Sequence, residues 1–281
     1  VLVVKGPSSV ALGPGGMGGT VAIETRDPAR APLLELESEF GGSGEGRATA
    51  LHALDAGPVA YALGAGLTLS EGYRLSSQYE ATEWEDGGGL DNSDRRISDF
   101  VGKLAVPIDE RNRFTGSVFL LDGEFGVPRS TTDARPFYTR FTVWRAVAGQ
   151  VAHVLEAGPL RLEEAVYAVG FDNRFDSYDD ATFTTMDGPN AYSSWYHDRA
   201  FGGRIRGQYA FRGREAGATI LRLWLDARGD AHGTREQGDE GLERFRRVAL
   251  TAVPELEVPV IRGLALLGAV QVEGDLPDTS G

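Results

Sequence analysis

The chain has 281 residues, with 28 Lys and Arg against 41 Asp and Glu, so its net charge is −13 at pH 7. This acidic balance argues against a nucleic-acid partner, because phosphate backbones are bound chiefly by lysine and arginine. Cysteine is absent, which excludes disulfides, thiolate metal sites and cysteine nucleophiles. No run of about 18 apolar residues occurs, so no transmembrane helix is predicted.

The first element is a glycine-rich segment, VLVVKGPSSVALGPGGMGGTVAIETR, which spans Val1–Arg26. The apolar run at its start and the alternating apolar residues at its end predict two short strands joined by a glycine-packed turn. The pattern G-x-G-x-x-G begins at Gly13, but a dinucleotide-binding turn must open a helix, whereas Thr20–Arg26 alternates as a strand and stops before Pro28. We therefore expect no nucleotide site. A glycine turn in an unrelated β protein is the plainer alternative.

This segment resembles the end of the plug domain of TonB-dependent outer-membrane transporters. In that family, a run close to V-x-V-x-(R/K)-G-P-x-S-x-L-Y-G-x-G-x-x-G-G-x-I-N-I-x-T directly precedes a transmembrane barrel. The positions that fit are Gly6, Pro7, Ser8, Ser9, Val10, Gly13, Pro14, Gly15, Met17, Gly18, Gly19, Ile23 and Thr25. The departures are Lys5, where Arg is commoner, Ala11 and Leu12 for Leu-Tyr, and Ala22 for Asn.

The resemblance implies two domains. Residues 1–27 would be the C-terminal part of a plug, and residues 28–281 the N-terminal half of a barrel of about 22 strands. It also implies that Lys5 makes a plug–barrel contact with acidic side chains of the barrel wall. Because the chain begins without Met inside a predicted strand, we expect it to be a fragment of a longer protein.

From Leu33 to Glu273 the sequence contains about eleven strand candidates. Segments 59–70, 201–212 and 219–228 place bulky apolar residues on one face and small or polar residues on the other, the two-residue period of a strand. A soluble sandwich shows the same period, so periodicity alone does not separate it from a barrel.

The links between the predicted strands alternate in length. Short links rich in Gly, Pro, Asn or Asp are predicted near Gly57, Asp109–Asn112, Ala157–Pro159 and Gly213–Gly217. Long links are predicted at roughly Tyr73–Arg95, Gly126–Thr139, Asp172–Asp198 and Gly229–Gly241. This alternation predicts an all-β fold, a transmembrane antiparallel up-and-down β-barrel in which bulky apolar side chains face lipid.

Aromatic residues concentrate where strands approach the long links, and we predict that they form the interface girdle of the barrel. They are Tyr73, Tyr138, Phe141, Trp144, Phe171, Phe175, Trp195 and Tyr196. Ligand contacts are expected from the long links and their margins, where aromatic faces and a few charges suit a bulky solute. The candidates are Tyr79, Trp84, Arg129, Arg135, Tyr138, Trp195 and Tyr196.

The sequence contains no pattern typical of catalysis. The four histidines lie on separate segments without metal-ligand spacing, and the acidic pairs near Asp91 and Asp179 lack the spaced oxygens of a calcium loop. We therefore expect no enzyme activity, no cofactor and no metal site. A β-rich carbohydrate-active enzyme would need two facing carboxylates, a pairing that the sequence does not reveal.

The expected function, by resemblance, is TonB-dependent transport of a bulky ligand across the outer membrane of a Gram-negative bacterium. Ferric siderophore is the first ligand class, and TonB would engage a segment that is not in this chain. The expected surroundings are outer-membrane lipid, with no nucleic acid. The alternative is a soluble or surface-attached β-rich ligand-binding protein without transport activity.

Overall fold

The computed structural model describes residues 2–5, 19–22, 27–28, 33–42, 44–130, 137–211, 218–237, 243–261, 264–270 and 272–277. Strands β1 (Leu2–Lys5) and β2 (Gly19–Ala22) pair in antiparallel fashion, with Val3 opposite Val21. The two short strands predicted at the start of the chain are therefore confirmed. The glycine turn between them and the side chain of Lys5 lie outside the described part, so the plug–barrel contact of Lys5 stays a prediction.

The rest of the described chain forms one antiparallel sheet of 12 strands, without a second layer. The strands are β3 (Leu33–Phe40), β4 (Glu45–Asp55), β5 (Ala60–Ser70), β6 (Arg95–Pro107), β7 (Asn112–Val127), β8 (Tyr138–Ala157), β9 (Leu160–Tyr178), β10 (Tyr192–Phe211), β11 (Thr219–Glu236), β12 (Glu243–Ile261), β13 (Leu264–Ala269) and β14 (Val272–Pro277). Each strand up to β12 pairs with its neighbours in chain order, which is the predicted up-and-down arrangement. Among these residues, no helix is long and apolar enough to cross a membrane.

Strands β13 and β14 are two parts of one strand that runs along β12. Ala269 pairs with Glu255 and Val272 pairs with Ala252, so the register continues across the gap between them. The wall therefore has eleven strand positions in the described residues, as predicted. Its two edges, β3 and the β13–β14 strand, do not pair with each other there.

Bulky apolar side chains cover one face of the sheet and are exposed on it. Leu63 and Leu67 on β5 are 45% and 39% exposed, and Leu221 and Leu225 on β11 are 41% and 37% exposed. In a sandwich these leucines would be enclosed between two sheets. Their exposure in a one-layer wall excludes the sandwich and is the arrangement expected of an apolar barrel exterior.

The opposite face is concave and carries small, polar and aromatic side chains. Side chains on it meet across an intervening strand, since Arg204 Nη2 on β10 donates to Gln150 Oε1 on β8 at 3.0 Å. Its alanines are closely covered, with Ala105 fully buried and Ala165 5% exposed. We call this the concave face and the leucine-covered side the convex face.

The ends of the hairpins are staggered at the short-link side. Across the ladder, Ala60 at the start of β5 is level with Arg204 of β10, through residues 105, 115, 152 and 165. Strand β10 continues seven residues further, to Phe211. Seven residues measure about 23 Å along a strand, and five steps from strand to strand measure about 24 Å across the sheet. The ratio of these two lengths corresponds to strands tilted by about 40° from the axis of the wall, within the range found in barrels.

Three of the four long links are shorter than predicted, because their strands continue past the expected ends, whereas the first spans residues 71–94, close to its predicted range. Strand β9 runs to Tyr178 and β10 begins at Tyr192, whereas the sequence analysis placed a link over Asp172–Asp198. The strand ends were predicted too early because the convex face becomes charged several residues before the hydrogen-bonded pairing of the strands ends. The residues at which this change occurs are Asp122, Arg145, Asp172, Arg199 and Arg246.

Candidate functional site

Aromatic side chains form a continuous cluster on the concave face near the long links. The ring centroid of Trp144 lies 4.8 Å from Phe171, 4.9 Å from Phe141 and 5.2 Å from Phe125. Phe141 is also 5.0 Å from Phe175. All four of these pairs are edge-to-face, the geometry in which the positive edge of one ring meets the negative face of another. We call these five residues the aromatic cluster.

The aromatic cluster corrects the predicted girdle. Phe171 and Phe175 share a face of β9 with the buried Ala165, and Phe141 pairs directly with Phe175. Trp144 contacts Phe171 on that same side. The prediction that Phe141, Trp144, Phe171 and Phe175 face lipid is therefore wrong, because closeness to a long link fixes the level of a residue but not its face.

Polar groups continue the concave surface beside the aromatic cluster. Phe171 pairs with Asp198, Asp198 with His232, and His232 with Phe245, so four strands contribute to one row. The Asp198 carboxylate lies 2.5 Å from His232 Nδ1. Tyr196 lies on the same face as Asp198, and its ring is 6.3 Å from His232. Aromatic surface and hydrogen-bonding groups thus converge in one place.

Further toward the short links, the concave face is lined by arginines in contact with other side chains. The Arg206 guanidinium lies over the Trp224 ring at 4.3 Å from its centroid. Arg222 donates to Glu255 at 2.5 Å and to Glu257 at 2.7 Å. The lining is charged but largely paired, which suits a solvated lumen rather than an apolar core.

The link between β5 and β6, residues 71–94, is tied to the wall by Asn92. The Asn92 side-chain amide donates to the carbonyls of Val127 at 3.0 Å and Thr139 at 2.6 Å. Two residues on, the Asp94 carboxylate accepts two hydrogen bonds from Arg140, at 2.7 and 2.8 Å. The link is therefore held over the ends of β7 and β8.

A buried acid lies inside the same link. Glu85 is 1% exposed, and its Oε2 accepts a hydrogen bond from the backbone N–H of Asp91 at 3.0 Å. Burial raises the pKa of the Asp91 carboxyl above its ordinary value, and the nearby Glu85 and Asp86 carboxylates raise it further. The link thus holds two neighbouring acids, one of them enclosed.

The structure distributes the predicted ligand-binding residues over different surroundings. Tyr79 and Arg129 have their hydroxyl and one guanidinium nitrogen buried without a hydrogen-bond partner among the described residues, and Trp84 is 39% exposed. Tyr138 and Trp195 lie on the convex side of β8 and β10, whereas the neighbouring Tyr196 faces the concave side. Arg135 lies outside the described residues. The seven residues do not form one group, and their ligand contacts stay predictions.

Several concave-face residues were missed by the sequence analysis. Phe125, Asp198, His232 and Phe245 belong to the surface just described, and none was named as a candidate. Alternation along each strand, counted from an apolar convex residue, predicts them: Phe201 on β10 is convex, so Asp198, three residues earlier on the same strand, is concave.

Within the described residues, no group of three or more His, Cys, Asp or Glu side chains is arranged to hold a metal ion. Three histidines instead pair singly with acids. The Nδ1 atoms of His197 and His153 lie 2.6 Å from Asp172 and 3.3 Å from Glu164. The His153 pair lies beside Asn112, the first residue of β7, and therefore near the short-link rim.

No protein-family model matches the chain, and no curated protein sequence matches it. The chain does match solved structures. The chain superimposes on the copper transporter OprC with a TM-score of 0.77 at 18% identity, covering 97% of this chain and 42% of that one. It matches FpvAI, in its complex with pyocin S2, with a TM-score of 0.71 at 10% identity, covering 98% of this chain and 42% of that one.

A third structural neighbour is the siderophore receptor PiuA from Acinetobacter baumannii. The TM-score is 0.60 at 11% identity, with 97% of this chain and 50% of that one covered. The chain therefore spans about half the length of the proteins it matches or less. At these identities the likeness concerns the fold.

Proposed function

Because the chain has the fold of the β-barrel of TonB-dependent receptors, we propose that it is part of an active transporter of the outer membrane. The observation that carries the proposal is the two-sided wall: exposed bulky apolar side chains outside, and aromatic and charged side chains inside beneath the long links. A wall of this kind is suited to stand in lipid and to conduct a polar solute.

The height of the convex apolar belt supports a membrane location. On β10 the belt extends from Phe201 to Phe211, with Ile205 and Tyr209 between them, and all four are exposed. Ten residues rise about 33 Å along a strand, which at a tilt of about 40° is about 25 Å across the bilayer, the height of a barrel's apolar band. The short links would then face the periplasm and the long links the outside.

We further propose the domain division 1–27 and 28–281, with the β1–β2 hairpin as the end of the plug. Support comes from the plug-like sequence of this segment and from its position directly before the wall. Transport in this family is driven through TonB, so the energy-coupling partner proposed for the full-length protein is TonB. The proposal involves no bond chemistry and hence no enzyme role.

The proposed ligand is a ferric siderophore, bound between the aromatic cluster and the long links. Aromatic rings and hydrogen-bonding groups that converge on a concave surface suit a bulky, partly apolar chelate. Tyr196 would contribute from the wall, and Tyr79, Trp84, Arg129 and Arg135 from the links and their margins. Tyr138 and Trp195, both on the convex side, are better placed for the membrane interface.

The test compares two phenylalanines of β9 and β10 in the full-length protein. Phe171→Ala removes a ring of the aromatic cluster, and Phe201→Ala removes a ring that is 71% exposed on the convex face. We expect Phe171→Ala to lose about 1–2 kcal/mol of ligand binding, or about 5- to 30-fold in affinity, as for a contact near the centre of an interface. Phe201→Ala should bind like the parent protein.

The measurement is energy-dependent uptake of radioactive iron from a panel of ferric siderophores, with cobalamin and copper as alternative ligands. Uptake that depends on TonB and is impaired by Phe171→Ala alone would support the proposal. Equal effects of the two variants would place ligand binding elsewhere, and absence of uptake for every ligand would contradict transport itself.

A further inference from the structure

The guanidinium group of Arg140, near the start of β8, contacts two of the long links at once. We call residues 71–94 the first link and residues 179–191 the third link. On one side, Arg140 bonds both carboxylate oxygens of Asp94 at the end of the first link. On the other side, the guanidinium lies over the ring of Phe183 in the third link, 5.3 Å from its centroid. The Arg140 side chain is only 18% exposed, so the two links largely enclose it.

The first link is internally bonded. Backbone hydrogen bonds between its two halves close the link on itself. Its last residues carry the attachment to Arg140, because Asn92 Oδ1 also accepts a hydrogen bond from Arg140 Nη1 at 2.9 Å. Since the halves are bonded to each other, the position of the attached end affects the whole link. This link includes two of the predicted ligand-binding residues, Tyr79 and Trp84.

The third link is also internally bonded. The backbone N–H of Asp179 donates to the carbonyl of Thr185 at 3.0 Å. The Phe183 ring lies 6.2 Å from the ring of Tyr138 and 5.6 Å from that of Tyr178, at the ends of β8 and β9. The φ angle of Phe183 is +52°, a backbone conformation that a bulky residue keeps only where its surroundings fix it. Its contacts with the wall, Arg140 included, therefore hold the third link in place.

The two contacts of Arg140 depend on each other because a single planar group makes both. The edge of the guanidinium donates to the Asp94 carboxylate, and its face meets the Phe183 ring. The hydrogen bonds from Arg140 hold the pKa of the Asp94 carboxyl below its ordinary value, so this attachment is charged at neutral pH. Without Asp94 the guanidinium can turn away from Phe183, and without the Phe183 ring it can turn away from Asp94.

We propose that Arg140 is a positioning residue that couples the first and third links, so that order gained or lost in one link is passed to the other. Its consequence for ligand capture rests on the proposed function. A ligand that orders the first link through Tyr79 or Trp84 would also order the third link, which has none of the predicted ligand-binding residues. A coupling free energy of this kind acts equally in both directions.

The experiment measures amide hydrogen exchange of both links in the full-length protein in detergent, without ligand. R140M should speed exchange about ten-fold in the first link and about three-fold in the third, as for loss of a charged hydrogen-bonded pair and of a cation–π contact. D94A should speed exchange about two-fold in the third link, which Asp94 does not contact, and F183L should do the same in the first link. The control is R145M, because Arg145 is paired with Asp122 inside the wall and should affect neither link.

Effects of D94A and F183L that stay within their own links would overturn the coupling, as would a crossed effect in one direction only. Unchanged exchange of both links in R140M would also overturn it. Heat-dependent gel migration shows which variants are folded; if R140M is not, the crossed effects of D94A and F183L decide. Because exchange is measured without ligand, absence of uptake would contradict the transporter proposal and leave the coupling to be decided by exchange.

Discussion

Replacing Arg222 by methionine removes the guanidinium from a carboxylate that the wall buries completely. The Glu255 side chain is 0% exposed and Arg222 is 18% exposed, and their nearest atoms are 2.5 Å apart. Breaking a buried pair by removing one partner lowers stability by about 3–5 kcal/mol, because the remaining charge stays in a poorly solvated place. We expect a loss of this size from Arg222→Met, with a smaller share from the half-exposed Glu257.

The assay is the free energy of unfolding of the full-length protein in lipid vesicles, measured by denaturant titration. The matched control is Arg145→Met, since Arg145 and its partner Asp122 are 64% and 61% exposed and such a pair contributes at most about 1 kcal/mol. The double variant R222M/E255M should recover much of the loss, because the buried charge is then gone. The reasoning is refuted if Arg222→Met and Arg145→Met destabilise equally.

Two further predictions concern the links. The Asp179 carboxylate accepts hydrogen bonds from the backbone N–H groups of Asp187 and Gly188, and these bonds lower its pKa. Its stabilisation of the link is therefore present above the ordinary Asp pKa and is lost as the pH falls through the lowered pKa, where the Gly188 amide should lose its protection from hydrogen exchange. A D179N variant that keeps the same pH dependence would contradict this prediction. In Gly126→Ala the new Cβ would lie 2.2 Å from the backbone carbonyl oxygen of Asn92, so the link of residues 71–94 should detach from the wall and be cleaved faster by an added protease. Gly116→Ala is the control, because its new Cβ would meet open space and should leave the cleavage rate unchanged.

Most of the fold could be predicted from the alternation of apolar with small or polar residues along the strands. In segment 59–70 it assigned Leu63 and Leu67 to one face, and in the structure both are exposed on the convex side. The alternation of short and long links gave the strand order, because an up-and-down wall must reverse at every turn. The plug-like segment pointed to the same fold that the structural neighbours have.

Less of the candidate site than of the fold could be predicted from the sequence. Phe141 changes face relative to a simple count because an extra residue between Phe141 and Val143 makes a bulge in β8, and no turn residue marks it. Charge was also misread: Asp172 lies inside β9, at the level where the wall leaves its apolar belt, although the ladder continues to Tyr178. A strand can leave its apolar surroundings before it leaves the sheet, and the polarity of its residues indicates only where the apolar surroundings end.

The staggered hairpin ends mean that residues facing each other across the ladder do not share a depth. Ala60 is at the rim of the wall, while Arg204, in register with it through four strands, is seven residues inside its own strand. Residues at the same depth in the proposed membrane therefore lie on a diagonal line across the convex face, which shifts by more than one residue from each strand to the next. Depth-dependent probes, such as spin labels quenched from the lipid, should be placed along that diagonal.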